Sequence, residues 1–246
     1  MRNDFLVLLT GLLLGSLTVA VPAKVPVKEK PGIYTLLLER VEGPSLPVTL
    51  SVPEGYSPDR PAPLVVALHY RGPVTPFFGG GMLRELVEPG LRSLNAVMVA
   101  PDCPTDRWND PVSEAAVLEL ITDVRAAYAV DSEKIILTGY SLGGIGTWYL
   151  AARHPGLFCA AIPMASGTNA ATVQQIRDIP LYVIHSTADK LLTIHKIRGF
   201  VEELRRRGVS VEFREVPGVD HFDVTAFVEP LRDAGGWLRR RWEREE

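Results

Sequence analysis

Residues 135–155 read IILTGYSLGGIGTWYLAARHP, and the order of residue types within them sets how the rest of the chain is read. Lys134 to Thr138 has the apolar, β-branched character of a central strand. Gly139-Tyr140-Ser141-Leu142-Gly143 follows at once, and Leu142 to Arg153 then carries helical spacing. A strand that turns through glycines straight into a helix is the setting that lifts a serine hydroxyl clear of the backbone. The glycines leave room for a strained turn, and the helix points its amino end at the serine, where negative charge would develop. The pattern predicts Ser141 as a nucleophile. Without its flanking strand and helix it would be only a glycine-rich turn.

Working outward, strand-like and helix-like segments alternate. Tyr34 to Arg40 and Val48 to Val52 read as short strands around a turn at Gly43-Pro44, and Pro53 to Pro63 as a surface loop. Leu64 to Leu68, Ala96 to Ala100, Ala160 to Met164, Leu181 to His185 and Val209 to Val216 complete the strand series with Lys134 to Thr138. Helices are expected over Met82 to Leu94, Ser113 to Tyr128, Thr193 to Arg207 and Ala226 to Arg241. In the second of these, Val117, Leu120, Ile121 and Val124 share one side. Such alternation implies an α/β fold: a mainly parallel sheet with right-handed crossovers and helices on both faces. No insertion is long enough for a large lid, and 246 residues fit one domain better than two.

The stretch Ile135 to Pro155 resembles the nucleophile region of α/β-hydrolase serine esterases and peptidases, above all the predicted-peptidase, polyhydroxybutyrate-depolymerase-like and feruloyl or acetylxylan esterase group. Val99-Ala-Pro-Asp-Cys-Pro104 with Trp108 also resembles a segment of those proteins, and the similarity runs from about Leu64 to about His221. It implies the α/β-hydrolase fold over residues 24–246, acyl transfer to water, no metal and no cofactor.

In this fold the triad runs nucleophile, acid, histidine along the chain, and chemistry gathers past the carboxyl ends of the strands. His221 follows the last strand and resembles the family's histidine; an imidazole near neutrality can take the serine proton and return it to a leaving group. Asp189 follows the strand ending at His185, and Ile184-His-Ser-Thr-Ala-Asp189 resembles the family's acid turn. Asp102 and Asp220 are weaker alternatives for the acid. His69, at a strand end, is read as shaping the neighbouring loop, and His154, His185 and His195 as structural. An oxyanion hole needs two backbone N–H groups. Leu142 is expected to give one and Arg71 the other, with Tyr70 as alternative because relatives usually have His-Gly where this chain has His69-Tyr70. Trp108, Phe77 and Phe78 could line a substrate pocket or simply pack. Gly79-Gly80-Gly81 reads as a flexible loop at the mouth, since no Lys-Ser/Thr partner makes it a phosphate cradle.

A net charge of −3 supplies no basic field, so nucleic acid is not an expected partner. The arginines from Arg239 to Arg244 read as the solvated face of a last helix. Cys103 and Cys159 are the only cysteines, expected as free thiols, and neither they nor the five histidines show metal-ligand spacing. Residues 1–23 have the three-part pattern of a signal peptide: Arg2, an apolar run from Phe5, and small residues at Ala20 and Ala23. A secreted or periplasmic protein is expected, with an uncleaved membrane anchor as the alternative. The sequence thus reads as a serine hydrolase acting on a small-molecule or polymer ester. A peptidase on the same triad, or a scaffold that only binds, are the alternatives, and oligomeric state is not readable.

Overall fold

The alternation expected from the sequence builds, among the described residues, one open eight-stranded sheet. The computed structural model describes residues 25–72 and 75–245; the segment 1–23, read as an export signal, lies outside the described residues. The strands are β1 (Gly32–Leu38), β2 (Leu46–Val52), β3 (Ala62–Leu68), β4 (Val97–Pro101), β5 (Val130–Tyr140), β6 (Ala160–Met164), β7 (Leu181–Ser186) and β8 (Val211–Val216). Their spatial order is β1-β2-β4-β3-β5-β6-β7-β8. β2 runs antiparallel to β1 and β4, and all the pairs from β4 through β3 to β8 are parallel. All five residues of β4 and of β6 are buried, as strands covered on both faces should be. The last strand, β8, lies at an edge and alternates instead, with Glu212 and Arg214 exposed.

Alternate residues of one strand feed opposite cores. Leu64, Val66 and Leu68 pack with α3 (Pro111–Ala127), α4 (Leu142–Arg153) and α6 (Ile194–Arg206), through Val117, Leu120, Trp148, Leu150 and Val201. Val65 and Ala67 face α1 (Gly79–Met82), α2 (Glu88–Leu91) and α7 (Val228–Glu245), through Met82, Leu91, Leu231 and Leu238. The period-two pattern of strands thus dictates a helix layer on each side.

Three details depart from the sequence reading. The stretch expected as one helix over Met82 to Leu94 starts earlier and is broken. A π-helical turn, Leu83–Val87, joins α1 to α2, which carries Pro89, a residue without an N–H to extend a regular ladder. The glycine run, expected as a flexible mouth loop, instead opens α1. Gly79 and Gly80 are buried, and a Cβ on Gly79 would stand 2.9 Å from the Pro101 carbonyl oxygen. Small size there serves close packing against β4, not mobility. A short helix not expected from the sequence, α5 (Ala170–Gln175), is capped by Asn169, whose side-chain oxygen accepts the Thr172 N–H at 2.9 Å.

Candidate active site

β3, β5, β7 and β8 present their carboxyl ends at one edge of the sheet, and the residues singled out in sequence lie just beyond them. At the end of β5, Ser141 adopts φ 53° and ψ −111°, a conformation that a non-glycine residue holds only under constraint. The constraint is visible on both sides: the Ser141 N–H donates to Met164 O at 2.9 Å, and its carbonyl accepts the Ile145 N–H at 3.0 Å. The flanking glycines are required by contact. A Cβ on Gly139 would lie 2.4 Å from the Gly143 carbonyl, and one on Gly143 would lie 1.8 Å from Leu68 O. The start of α4 is therefore pressed against the end of β3, next to the loop His69-Tyr70-Arg71.

Ser141 Oγ is 2.9 Å from His221 Nε2, and His221 Nδ1 is 2.7 Å from Asp189 Oδ2. The imidazole is 5% exposed and the Asp189 side chain not at all, so both interactions are shielded from competing water. With a carboxylate at Nδ1, the proton of a neutral ring sits there, leaving Nε2 as an acceptor toward the serine hydroxyl. Asp189 Oδ1 accepts the N–H groups of Leu191 and Leu192 at 2.9 and 2.8 Å, which fixes the carboxylate in its turn. Beneath that turn His185 lies fully buried, and its Nε2 donates to Leu192 O at 2.6 Å. Burial pushes the His185 pKa down, which favours the neutral ring beside Asp189. The other two aspartates are occupied elsewhere: Asp102 accepts the Phe77 and Gly79 N–H groups, and Asp220 the Phe222 N–H.

The loop after β3 is pinned by its own side chains. His69 Nδ1 donates to Tyr70 O at 2.6 Å, its Nε2 accepts the Cys103 N–H at 3.0 Å, and the Trp108 indole N–H donates to His69 O at 2.9 Å. Trp108 is wholly buried and abuts Gly146 of α4. This corrects the suggestion that it lines a substrate pocket: it packs the loop onto the helix. Phe77 and Phe78 are half-buried, and the Phe78 ring meets the rings of His69 and Tyr70 edge to face at 5.0 and 5.6 Å. Arg71 is exposed. The sequence reading missed Phe222, whose 79% exposed ring stands 5.4 Å from that of His221; adjacency to the histidine was its only signal.

Cys103 and Cys159 are both half-buried and are not joined in a disulfide, and burial pushes the Cys103 thiol pKa up, away from thiolate chemistry. Among the described residues, no group of three or more His, Cys, Asp or Glu side chains could hold a metal ion.

Known proteins resemble the chain at low identity. The chain is 23% identical over 153 residues to a carboxylesterase of Arabidopsis thaliana, an alignment covering 57% of this chain and 65% of that one. It is 27% identical over 199 residues to a probable feruloyl esterase C of Aspergillus terreus, covering 76% and 70%. The chain thus spans slightly less than two thirds of the plant relative's length. Among solved structures, a thermostable esterase superposes with a TM-score of 0.71 at 26% identity, over 85% of this chain and 62% of that one. Residues 105–236, more than half of the chain and including Ser141, Asp189 and His221, match the dienelactone hydrolase family. With its α/β-hydrolase sheet and this match, the chain belongs to the dienelactone hydrolase family.

Proposed function

We propose that this protein is a carboxylic ester hydrolase working through Ser141, His221 and Asp189. The observation that carries the reading is the unbroken relay from Ser141 Oγ to His221 Nε2 at 2.9 Å and from His221 Nδ1 to Asp189 Oδ2 at 2.7 Å. It starts from a serine held at positive φ at the amino end of α4.

In the proposed reaction Ser141 Oγ attacks the ester carbonyl carbon while its proton passes to His221 Nε2, and Asp189 stabilises the imidazolium. The carbonyl oxygen becomes an anion. The Leu142 N–H, in the first turn of α4 where no intrahelical acceptor exists, would stabilise it together with an N–H of Arg71 or Tyr70. The proximity of that loop to Gly143 supports the pairing. The intermediate expels the alcohol, which takes the proton from His221, and an acyl-serine remains. Water then gives a proton to His221 and its oxygen to the acyl carbon, releasing the acid and restoring Ser141. Each step is carried by residues of this chain.

The substrate is proposed to be a small-molecule or polymer ester. Tyr70, Phe77 and Phe78, part-exposed beside the loop, support an apolar acyl or alcohol group there. Residues 24–246 are proposed as one catalytic domain, and residues 1–23 as a signal that sends it out of the cytoplasm. The test is hydrolysis of p-nitrophenyl esters from acetyl to decanoyl, with methyl ferulate, by wild type and Ser141→Ala. Activity in the wild type that disappears in the variant supports the reading. Activity on no ester, or equal activity in both proteins, contradicts it.

A further inference from the structure

The residues that hold the histidine loop are not among those that the reaction uses. Residues 217–223 form neither strand nor helix, and all except Val219 and His221 are exposed or follow β8 directly into solvent. Yet His221 is buried, its ring fixed between a serine and an aspartate that come from two other strands. Something must hold its backbone against that exposed loop's freedom.

Two buried hydroxyls do so. Tyr140, 1% exposed and immediately before Ser141, donates its phenol O–H to the backbone carbonyl of His221 itself at 2.8 Å. Ser186, wholly buried and three positions before Asp189, donates its Oγ–H to Val219 O at 2.5 Å and accepts the Ala188 N–H at 3.1 Å. Burial, with Asp189, Asp223 and Asp220 nearby, pushes the Tyr140 pKa up, so the phenol keeps the proton it donates. Its ring is wedged by Phe227, edge to face at 5.0 Å, so the hydroxyl has one direction to point. The loop that bears the base is thereby bonded to the strand end that bears the nucleophile and to the strand end that bears the acid.

We propose that Tyr140 and Ser186 are positioning residues, which clamp the histidine loop from two sides and so set the Ser141–His221 and His221–Asp189 distances. The inference rests on the triad reading above. Neither hydroxyl reaches the reacting atoms; each acts through the backbone of the histidine loop. A small misplacement of a base costs rate without weakening substrate binding.

Tyr140→Phe removes one oxygen and leaves the ring in its packing. Thr138→Val is the control: Thr138, two residues earlier on β5, also donates a buried hydroxyl to a backbone carbonyl, that of Ile162 at 2.9 Å, but on the sheet and away from the loop. Active serines are counted with a fluorophosphonate, and kcat is expressed per counted site, which separates positioning from partial unfolding. The expected result for Tyr140→Phe is kcat per site lowered roughly tenfold with KM within twofold, for Ser186→Ala roughly threefold, and for Thr138→Val no change in kcat at a comparable loss of thermal stability. Wild-type kcat per site in Tyr140→Phe, or an equal fall in Thr138→Val, overturns the proposal. Should Tyr140→Phe fail to fold, Ser186→Ala decides in the same way. A wild type that neither labels nor turns over esters contradicts the triad reading instead.

Discussion

Two shielded carboxylates in this molecule each hold a histidine at hydrogen-bond distance, and only one of the pairs faces a serine hydroxyl. Asp189 meets His221 at 2.7 Å, and Glu114 of α3 meets His154, at the carboxyl end of α4, at 2.6 Å. Asp189 binds the imidazole through Nδ1 and so leaves Nε2 for Ser141. Glu114 takes up Nε2 itself, and its remaining capacity is filled by the Tyr149 hydroxyl at 2.7 Å and the Arg153 Nε–H at 2.9 Å. Burial raises the Glu114 pKa, but the hydrogen bonds from Arg153, Tyr149 and His154 outweigh it and hold the carboxyl below its ordinary value. The first pair is an open relay and the second a saturated knot that ties α3 to α4. A carboxylate–histidine contact therefore says little by itself; which ring nitrogen it takes, and what stands at the other, decides between chemistry and architecture.

The largest expected effect separates the two histidines. His221→Ala should lower ester turnover by about ten-thousand-fold, while His154→Ala stays within about twofold of wild type. Steady-state kinetics on one p-nitrophenyl ester reads both, and comparable losses would erase the distinction. The carboxylates should part in the same manner. Asp189→Asn is expected to cost about ten-thousand-fold in kcat, because the amide favours the wrong imidazole tautomer. Glu114→Gln should leave kcat unchanged. It removes a charged hydrogen-bonding centre worth roughly 2 kcal/mol, a fall of roughly 4–8 °C in Tm for a chain of this size. Calorimetry with a parallel activity assay checks it.

A smaller effect lies in the pH dependence of stability. His69 and His185 both have pKa values pushed below 6.5, chiefly by burial. The unfolded chain then binds protons below that pH which the folded chain declines, so stability is fully present above 6.5 and falls as pH drops beneath it. Glu114 is depressed from 4.5, so its contribution is present above that value and lost as pH falls through its folded value. Tm should therefore decline in two stages on acidification, and Glu114→Gln should remove part of the lower stage alone. A Tm that rises between pH 6.5 and 5 would contradict the assignment.

Much of this site was readable in the sequence because strand ends are readable. Ser141 stands directly after β5, Asp189 three residues past the end of β7 and His221 five past the end of β8, and the chain order expected for the three is the order that the fold imposes. The sheet was readable for the same reason, down to the boundaries of β6 and α4. What escaped has a different origin. Trp108 and the Gly79 run were ambiguous because burial at a loop depends on what arrives from elsewhere: the His69 carbonyl in one case, the back of β4 in the other. Tyr140 and Ser186 gave no signal, since a hydroxyl that donates to a carbonyl 81 or 33 residues away leaves no local pattern. The break in the helix expected over Met82 to Leu94 escaped because apolar spacing does not separate one kind of helical turn from another; the chain inserts a π-helical turn just before Pro89.

The most direct measurement is the site and rate of labelling by a fluorophosphonate, read by intact mass and peptide mapping. One adduct per chain on Ser141, formed at a rate that falls at least a hundredfold in His221→Ala, is the result this account expects. An adduct elsewhere, or labelling of Ser141 at the same rate without His221, would contradict it.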